Sequence, residues 1–201
     1  MSRGEADVIA HLHDHGVDLK RRRVFLFAPI KPTWDQEDLD FGSSDRVVKN
    51  LLWLDESEGP IQLWINTPGG CLDEMWAIYD VMRNASNDVE TIAVGEVASA
   101  GCLLLAGGTD MRRAMPNSTF MWHSMSHSCG ALLTQELYDR VEFTRKAHDR
   151  WIDEMARQTH PPGCRSLASR RAFWEKWSAG REKYMDAKDM LRHKIVDRIY
   201  P

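Results

Sequence analysis

Ser99 is the residue of this sequence whose setting best suits nucleophilic chemistry. It lies among small residues, after an apolar run at 89–95 that predicts a buried strand and before a helix-prone run at 103–106. A strand-to-helix junction can expose a hydroxyl while the first N–H groups of the helix point toward whatever that hydroxyl attacks. The alternative is that Ser99 is only the N-cap of the helix, a common place for serine.

His123 is the matching candidate for a general base. It ends a short β-prone run at 119–122, one helix and one turn after Ser99. Taken alone, a histidine at a strand end is as well explained by a structural hydrogen bond. Paired with Ser99 across one intervening helix, it fits a nucleophile and its base.

Two adjacent glycines, Gly69 and Gly70, supply a third piece. They follow a predicted strand at 61–66 and precede a helical run at 72–82. Such a turn allows close backbone approach and leaves N–H groups free to bind an anion. An ordinary strand-to-helix turn would look the same if it stood alone.

Together these segments resemble the blocks of the Clp protease proteolytic subunits (ClpP), which are serine peptidases. The resemblance runs from about residue 22 to residue 199, in the family's order, and is specific because the short blocks occur jointly. The blocks are Asn66-Thr67-Pro68-Gly69-Gly70, Ala98-Ser99-Ala100-Gly101, and Met115-Pro116-Asn117-Ser118 followed by His123.

The resemblance implies a role for each site residue. Ser99 would be the nucleophile and His123 the general base, with an oxyanion hole formed by the backbone N–H groups of Gly70 and Ala100. Two preorganised donors of this kind are usually the largest electrostatic contribution to acyl transfer. The resemblance also implies that substrate contacts Gly69 and the stretch Ser128, Cys129 and Gly130.

The acid of the triad is where this sequence departs from the family. An alignment without gaps puts Glu182 where the family usually has aspartate, and Asp186 is the alternative acid four residues later. Glutamate can orient an imidazolium, although its extra methylene moves the carboxylate. Either residue would also serve as a solvated charge at a helix start.

The order of predicted elements favours an α/β fold with largely parallel strands. The resemblance makes this the spiral of ββα units that ClpP shares with the crotonases. We expect an N-terminal segment at 1–21, flexible in character, and one domain at 22–201. Within that domain, a strand-helix handle is expected at about 124–158. Its helix is expected over 134–158, with one stripe formed by Leu137, Val141, His148, Ile152 and Met155.

Composition narrows the function classes. The chain has 201 residues, 43% of them hydrophobic, and a net charge of −4, which argues against nucleic acid or an anionic membrane as the main partner. The four cysteines are scattered, and no apolar run reaches membrane-spanning length. We expect a cytoplasmic protein without cofactor. His11, His13 and His15 alternate as in a metal-binding tract, but without further ligands we expect no metal.

Three functions remain open. The first is an ATP-dependent Clp-type serine endopeptidase that cleaves unfolded proteins or peptides inside a homo-oligomeric barrel of two stacked rings. Its ATPase, an unfoldase of the AAA+ class, would be supplied by a partner, if it is used at all. The second is a non-catalytic subunit of a mixed ring, and the third is a crotonase-like acyl-CoA enzyme.

Overall fold

The computed structural model describes residues 9, 12–31, 43–125 and 134–201. These residues form eight strands and six helices of more than one turn. The strands are β1 (Val17–Asp18), β2 (Arg23–Leu26), β3 (Ile61–Thr67), β4 (Val89–Ala98), β5 (Arg112–Ala114), β6 (Thr119–Trp122), β7 (Lys183–Met185) and β8 (Arg198–Ile199). The helices are α1 (Ser43–Asp55), α2 (Leu72–Asn84), α3 (Gly101–Ala106), α4 (Thr134–Gln158), α5 (Leu167–Ser178) and α6 (Ala187–Arg192).

The described strands build one sheet in the order β1-β2-β3-β4-β5-β8, with β6 and β7 branching from β4. Pairing is parallel along β2-β3-β4-β5-β8 and antiparallel only for β1 with β2 and β6 with β7. This architecture confirms the predicted α/β class with largely parallel strands.

Strand β4 pairs with two different strands along its length. Its residues 91–93 pair with β5, and its residues 96–98 pair with β6. Between these two pairings lies Gly95. Its φ of 65° is in the left-handed region, which bends the strand at this point. The end of β4 therefore pairs with β6. Ser99 is the next residue after β4, and His123 is the next residue after β6.

The core lies under one face of the sheet. Ile61, Leu63 and Ile65 of β3 point inward and are fully buried, whereas Gln62 and Trp64 point the other way. This alternation is typical of a strand with one covered face. Helices α1 and α2 pack against that face through apolar side chains.

The opposite face carries aromatic and cationic side chains. Trp64 lies between Phe25 and Tyr200, with ring centroids 6.3 and 6.2 Å away, and the guanidinium of Arg23 stacks on its ring. Arg113 likewise stacks on Tyr200 and pairs with a carboxylate of β4.

The N-terminal boundary differs from our expectation. Val17, which we placed in the segment before the domain, is 4% exposed and belongs to the same core as the sheet. It pairs with Val24 in an antiparallel register. The packed part of the chain therefore includes β1.

Helix α4 has the bounds that its apolar spacing predicted, but its two halves differ. Trp151, Ile152 and Met155 are buried against the domain. In the first half, Tyr138 and Phe143 are 65% and 58% exposed. The helix therefore projects from the domain along its first half. A helix with the length and apolar character of a membrane span is absent from the described part of the chain.

Candidate active site

Ser99 lies between the last residue of β4 and the start of α3, in the left-handed region with φ of 54°. Its N–H donates to the carbonyl oxygen of Met121 at 2.8 Å, and its own carbonyl accepts from Cys102 at 3.0 Å. The N-cap of α3 is Ala100, without a side-chain cap. The positive φ is unusual for serine and costs conformational energy, as is frequent at active sites. Ser99 therefore does not have the geometry of an ordinary capping serine.

His123 directly follows β6, and its Nε2 lies 2.8 Å from Oγ of Ser99. The strand pairing of β4 with β6 brings the two side chains together, because Ala98 is opposite Met121 in the parallel register. The structure thus joins the two residues that the sequence analysis paired. A serine hydroxyl hydrogen-bonded to imidazole has the contact that general-base activation requires.

The glycine turn packs directly beneath this pair. Gly69 has φ of 90° and approaches so closely that a Cβ there would be 2.6 Å from Cβ of Ser99 and 3.0 Å from the backbone nitrogen of Ala100. Gly70 has φ of 145° and faces the Ile30 backbone with no room for a side chain. Only glycine fits both positions.

Two backbone N–H groups at this point are free to bind an anion. Among the described residues, no acceptor takes the N–H of Gly70 or that of Ala100. The N–H of Gly69, in contrast, donates to Oγ1 of Thr67 at 3.1 Å. Both N–H groups predicted for an oxyanion hole are therefore unoccupied within the described part of the chain.

Thr67 and Ile30 position the turn, and the sequence analysis missed both. Oγ1 of Thr67 accepts from Gly69 and donates to the carbonyl of Ala28 at 2.7 Å. Ile30 bridges the turn, because its N–H donates to Gly69 and its carbonyl accepts from Cys71, both at 2.8 Å. The available signal was a threonine two residues before glycine, where a hydroxyl can bond a nearby backbone group.

The two candidate acids have different surroundings. Asp186 is the N-cap of α6, and its carboxylate accepts from the N–H of Asp189 at 2.8 Å. Glu182 immediately precedes β7, and continuing the register beyond Trp122 opposite Lys183 places it across from His123. Its carboxylate accepts from the hydroxyl of Tyr184 at 2.7 Å. Neither carboxylate hydrogen-bonds His123.

Cys102 lies directly behind the nucleophile but is chemically quiet. Its thiol is fully buried and contacts the carbonyl oxygens of Met121 and Val97 at 3.1 and 3.5 Å. Burial raises the pKa of this thiol well above its ordinary value. Cys102 therefore stays protonated at neutral pH and does not compete with Ser99 as nucleophile.

Some predicted residues cannot be placed. Ser128, Cys129 and Gly130, expected to contact substrate, lie outside the described residues, as does His11 of the histidine tract. Within residues 12–31, 43–125 and 134–201, no group of three or more His, Cys, Asp or Glu side chains is arranged to hold a metal.

Comparison with known proteins identifies the family of this chain. The model of the Clp protease family matches residues 19–201. ATP-dependent Clp protease proteolytic subunit 1 of Streptomyces avermitilis is 34% identical over 166 residues, which cover 80% of this chain and 71% of that protein. Proteolytic subunit 2 of Thermobifida fusca is 30% identical over 186 residues, 90% of this chain and 81% of that one. The chain therefore belongs to the Clp protease family, whose ClpP subunits are serine proteases.

Proposed function

We propose that this protein is a serine endopeptidase that cleaves unfolded proteins or peptides through an acyl-enzyme on Ser99. The observation that carries the proposal is the 2.8 Å contact between Nε2 of His123 and Oγ of Ser99, beside two unoccupied backbone donors. The family match favours this chemistry over an acyl-CoA reaction on the same type of fold.

The reaction follows from the positions of these groups. As Oγ of Ser99 attacks the substrate carbonyl carbon, its proton moves to Nε2 of His123. The carbonyl oxygen becomes an oxyanion and accepts hydrogen bonds from the N–H groups of Gly70 and Ala100. When the C–N bond breaks, His123 gives the proton to the leaving amine. Water then attacks the acyl-enzyme by the same route in reverse, which releases the acid and restores Ser99.

Glu182 is the acid that we propose for orienting His123. The support is its place opposite His123 when the β6–β7 register is continued by one residue. For this role, the Glu182 carboxylate gives up the hydrogen bond from the Tyr184 hydroxyl and accepts one from the other imidazole nitrogen, Nδ1 of His123. Asp186 is the weaker candidate because its carboxylate already caps α6.

We further propose that the protein works as a homo-oligomeric barrel in the cytoplasm. The exposed apolar side chains on the projecting half of α4 support an interface between copies. The described cysteines Cys71, Cys102 and Cys164 are free thiols, as is usual in a reducing compartment. The names of the two relatives include "ATP-dependent", which supports a partner ATPase rather than ATP binding by this chain.

Labelling with a fluorophosphonate probe tests the proposal. We expect covalent modification at Ser99, loss of labelling in Ser99→Ala, and strongly reduced labelling in His123→Ala. The rate at which each variant hydrolyses a fluorogenic peptide should fall in parallel with its labelling. Ser99→Ala should keep only the small rate that substrate binding and the oxyanion hole provide. A wild-type protein that neither labels nor cleaves would instead fit a non-catalytic subunit.

A further inference from the structure

A cleft with cationic walls begins one residue beyond His123. One side is formed by Ser124 and Met125, which follow the histidine directly. The other side is one face of α4. The cavity volume is about 470 Å³, large enough for any amino-acid side chain. Ser124 is bonded directly to His123, so the wall of the cleft begins at the residue that follows the proposed general base.

The face of α4 that lines the cleft is cationic and contributes no acid. Its lining residues are Arg140, Val141, Thr144, Arg145 and His148. Their spacing of one, four, five and eight residues puts them on the same side of the helix. Val141 and Met125 form the apolar part of the cleft wall. The guanidinium groups of Arg140 and Arg145 give the cleft its positive charge.

The positive charge of the cleft is only partly neutralised. Among the described residues, no carboxylate pairs with Arg140. Arg145 pairs with Asp149 at 3.3 Å, but Asp149 also pairs with Arg171 at 2.8 Å. The acid Glu142 points elsewhere, since it pairs with Lys146.

His148 adds a polar group without adding charge. Burial lowers the pKa of His148, and the neighbouring Arg171 lowers it further, although Asp149 and Glu175 act in the opposite direction. The net lowering keeps the imidazole neutral at pH 7. It can therefore hydrogen-bond a bound carboxylate through a ring N–H, while the two arginines determine the sign of the field.

We propose that this cleft binds the substrate side chain next to the scissile bond and selects acidic side chains, glutamate above all, over basic ones. The inference rests on the proposed peptidase function and names its substrate class. A glutamate places its methylene groups against Val141 and Met125 and its carboxylate near Arg140 and Arg145. A lysine of similar length would place a like charge beside two guanidinium groups, which excludes it.

The test is a set of fluorogenic peptides that differ only in Glu, Gln or Lys on the acyl side of the cleaved bond. We expect kcat/KM for the Glu peptide to exceed that for the Gln peptide about three- to fivefold, which is the effect of a partly exposed charge pair. It should exceed kcat/KM for the Lys peptide by a factor on the order of ten. The preference should shrink as salt is raised, because the charges are solvent-accessible.

Variants on α4 make the test specific. Arg140→Gln and Arg145→Gln should each reduce the Glu-to-Gln ratio of kcat/KM, because each removes one guanidinium group from the cleft. Arg140→Glu should raise cleavage of the Lys peptide above that of the Glu peptide. Lys146→Gln is the matched control: it removes a cation of the same helix on the face away from the cleft, and the ratio should not move.

The outcomes separate this inference from the proposed function. Equal cleavage of the Glu and Lys peptides by the wild type, or an unchanged ratio in both glutamine variants, overturns the selectivity and leaves the peptidase standing. Absence of fluorophosphonate labelling and of cleavage of every peptide overturns the peptidase itself. Labelling measured on each variant shows whether the site is still intact.

Discussion

Gly69 and Ser99 are in such close contact that no side chain fits between them. A Cβ on Gly69 would lie 2.6 Å from Cβ of Ser99 and 2.7 Å from the carbonyl oxygen of Ala98. These are distances that real Cβ atoms do not show, and the obstructing atoms belong to the rigid junction rather than to a flexible side chain. The glycine turn and the nucleophile therefore form one packed unit.

Gly69→Ala should accordingly abolish most activity. The added methyl group must displace Ser99 or the turn, which separates the hydroxyl from His123 and moves the N–H of Gly70. We expect kcat for a neutral peptide to fall by about two orders of magnitude or more, since misplacement by about 1 Å has that effect. Steady-state kinetics and fluorophosphonate labelling measure it.

Gly180→Ala is the matched control for backbone strain. Gly180 has φ of 94°, close to the 90° of Gly69, but its Cβ would meet no atom within 4 Å. We expect a loss of about 1 kcal/mol in unfolding free energy from the left-handed alanine, with activity retained. If both variants lose activity alike, strain rather than contact with Ser99 is the cause.

Glu182→Gln and Asp186→Asn distinguish the two candidate acids. Glu182→Gln should lower kcat much more than it raises KM, because the imidazolium loses its partner in the transition state. Asp186→Asn should leave kcat nearly unchanged, since asparagine also caps helices well. Kinetics on both purified variants provide the comparison.

The reverse result would reassign the acid. A crippled Asp186→Asn beside a nearly silent Glu182→Gln would show that Asp186 orients the histidine. If neither variant is affected, Ser99 and His123 work as a dyad. Tyr184→Phe tests the observed contact directly, because it removes the hydroxyl that donates a hydrogen bond to the Glu182 carboxylate. This variant should not lower kcat.

Asp197 should make stability depend on pH in the acid range. Burial alone raises the pKa of Asp197, but hydrogen bonds from the side chain and backbone of Arg112 lower it overall below its ordinary value of 3.8. The side chains meet through two bonds of 2.9 and 2.7 Å. A carboxyl with a depressed folded pKa stabilises the protein above the unfolded pKa, and this contribution is lost as pH falls through the folded value.

Asp197→Asn should therefore cost about 1 to 2 kcal/mol at pH 7, a figure discounted because the carboxylate is partly solvent-exposed. The difference from wild type should be constant above about pH 5 and shrink as pH falls below the ordinary carboxyl value. Urea unfolding at several pH values measures it. Glu142→Gln, which breaks an exposed pair on α4, should have a smaller effect. A difference that grows on acidification would contradict the assigned direction of the pKa shift.

The projecting half of α4 should determine oligomeric state. Tyr138 and Phe143 are exposed apolar side chains that do not line the cationic cleft. The double variant Tyr138→Ser, Phe143→Ser should shift the protein to smaller species in size-exclusion chromatography with light scattering. Lys146→Ser, on the same helix but polar, should not. A wild-type protein that is a stable, active monomer would refute the barrel.

The sequence by itself determined the elements that have strong local patterns, and it indicated which residue types could carry the chemistry. The apolar runs that predicted buried strands at 61–66 and 89–95 lie within β3 and β4, and the apolar period of α4 gave its full extent. These patterns are local, since period 2 or 3.6 depends only on the backbone geometry of the element itself. The small residues around Ser99 and the paired glycines were also local signals.

Tertiary structure decided what local patterns could not. Leu137 and Ile152 lie in the same apolar stripe of α4, yet the first is 44% exposed and the second 1%, because the core residues of the helix are all in its second half. The choice between Glu182 and Asp186 likewise depends on strand register and helix capping rather than on residue type. The cationic cleft exists only because the fold places the chain after His123 against α4. Burial, register and convergence of distant segments are relations between elements, and no single stretch of sequence contains them.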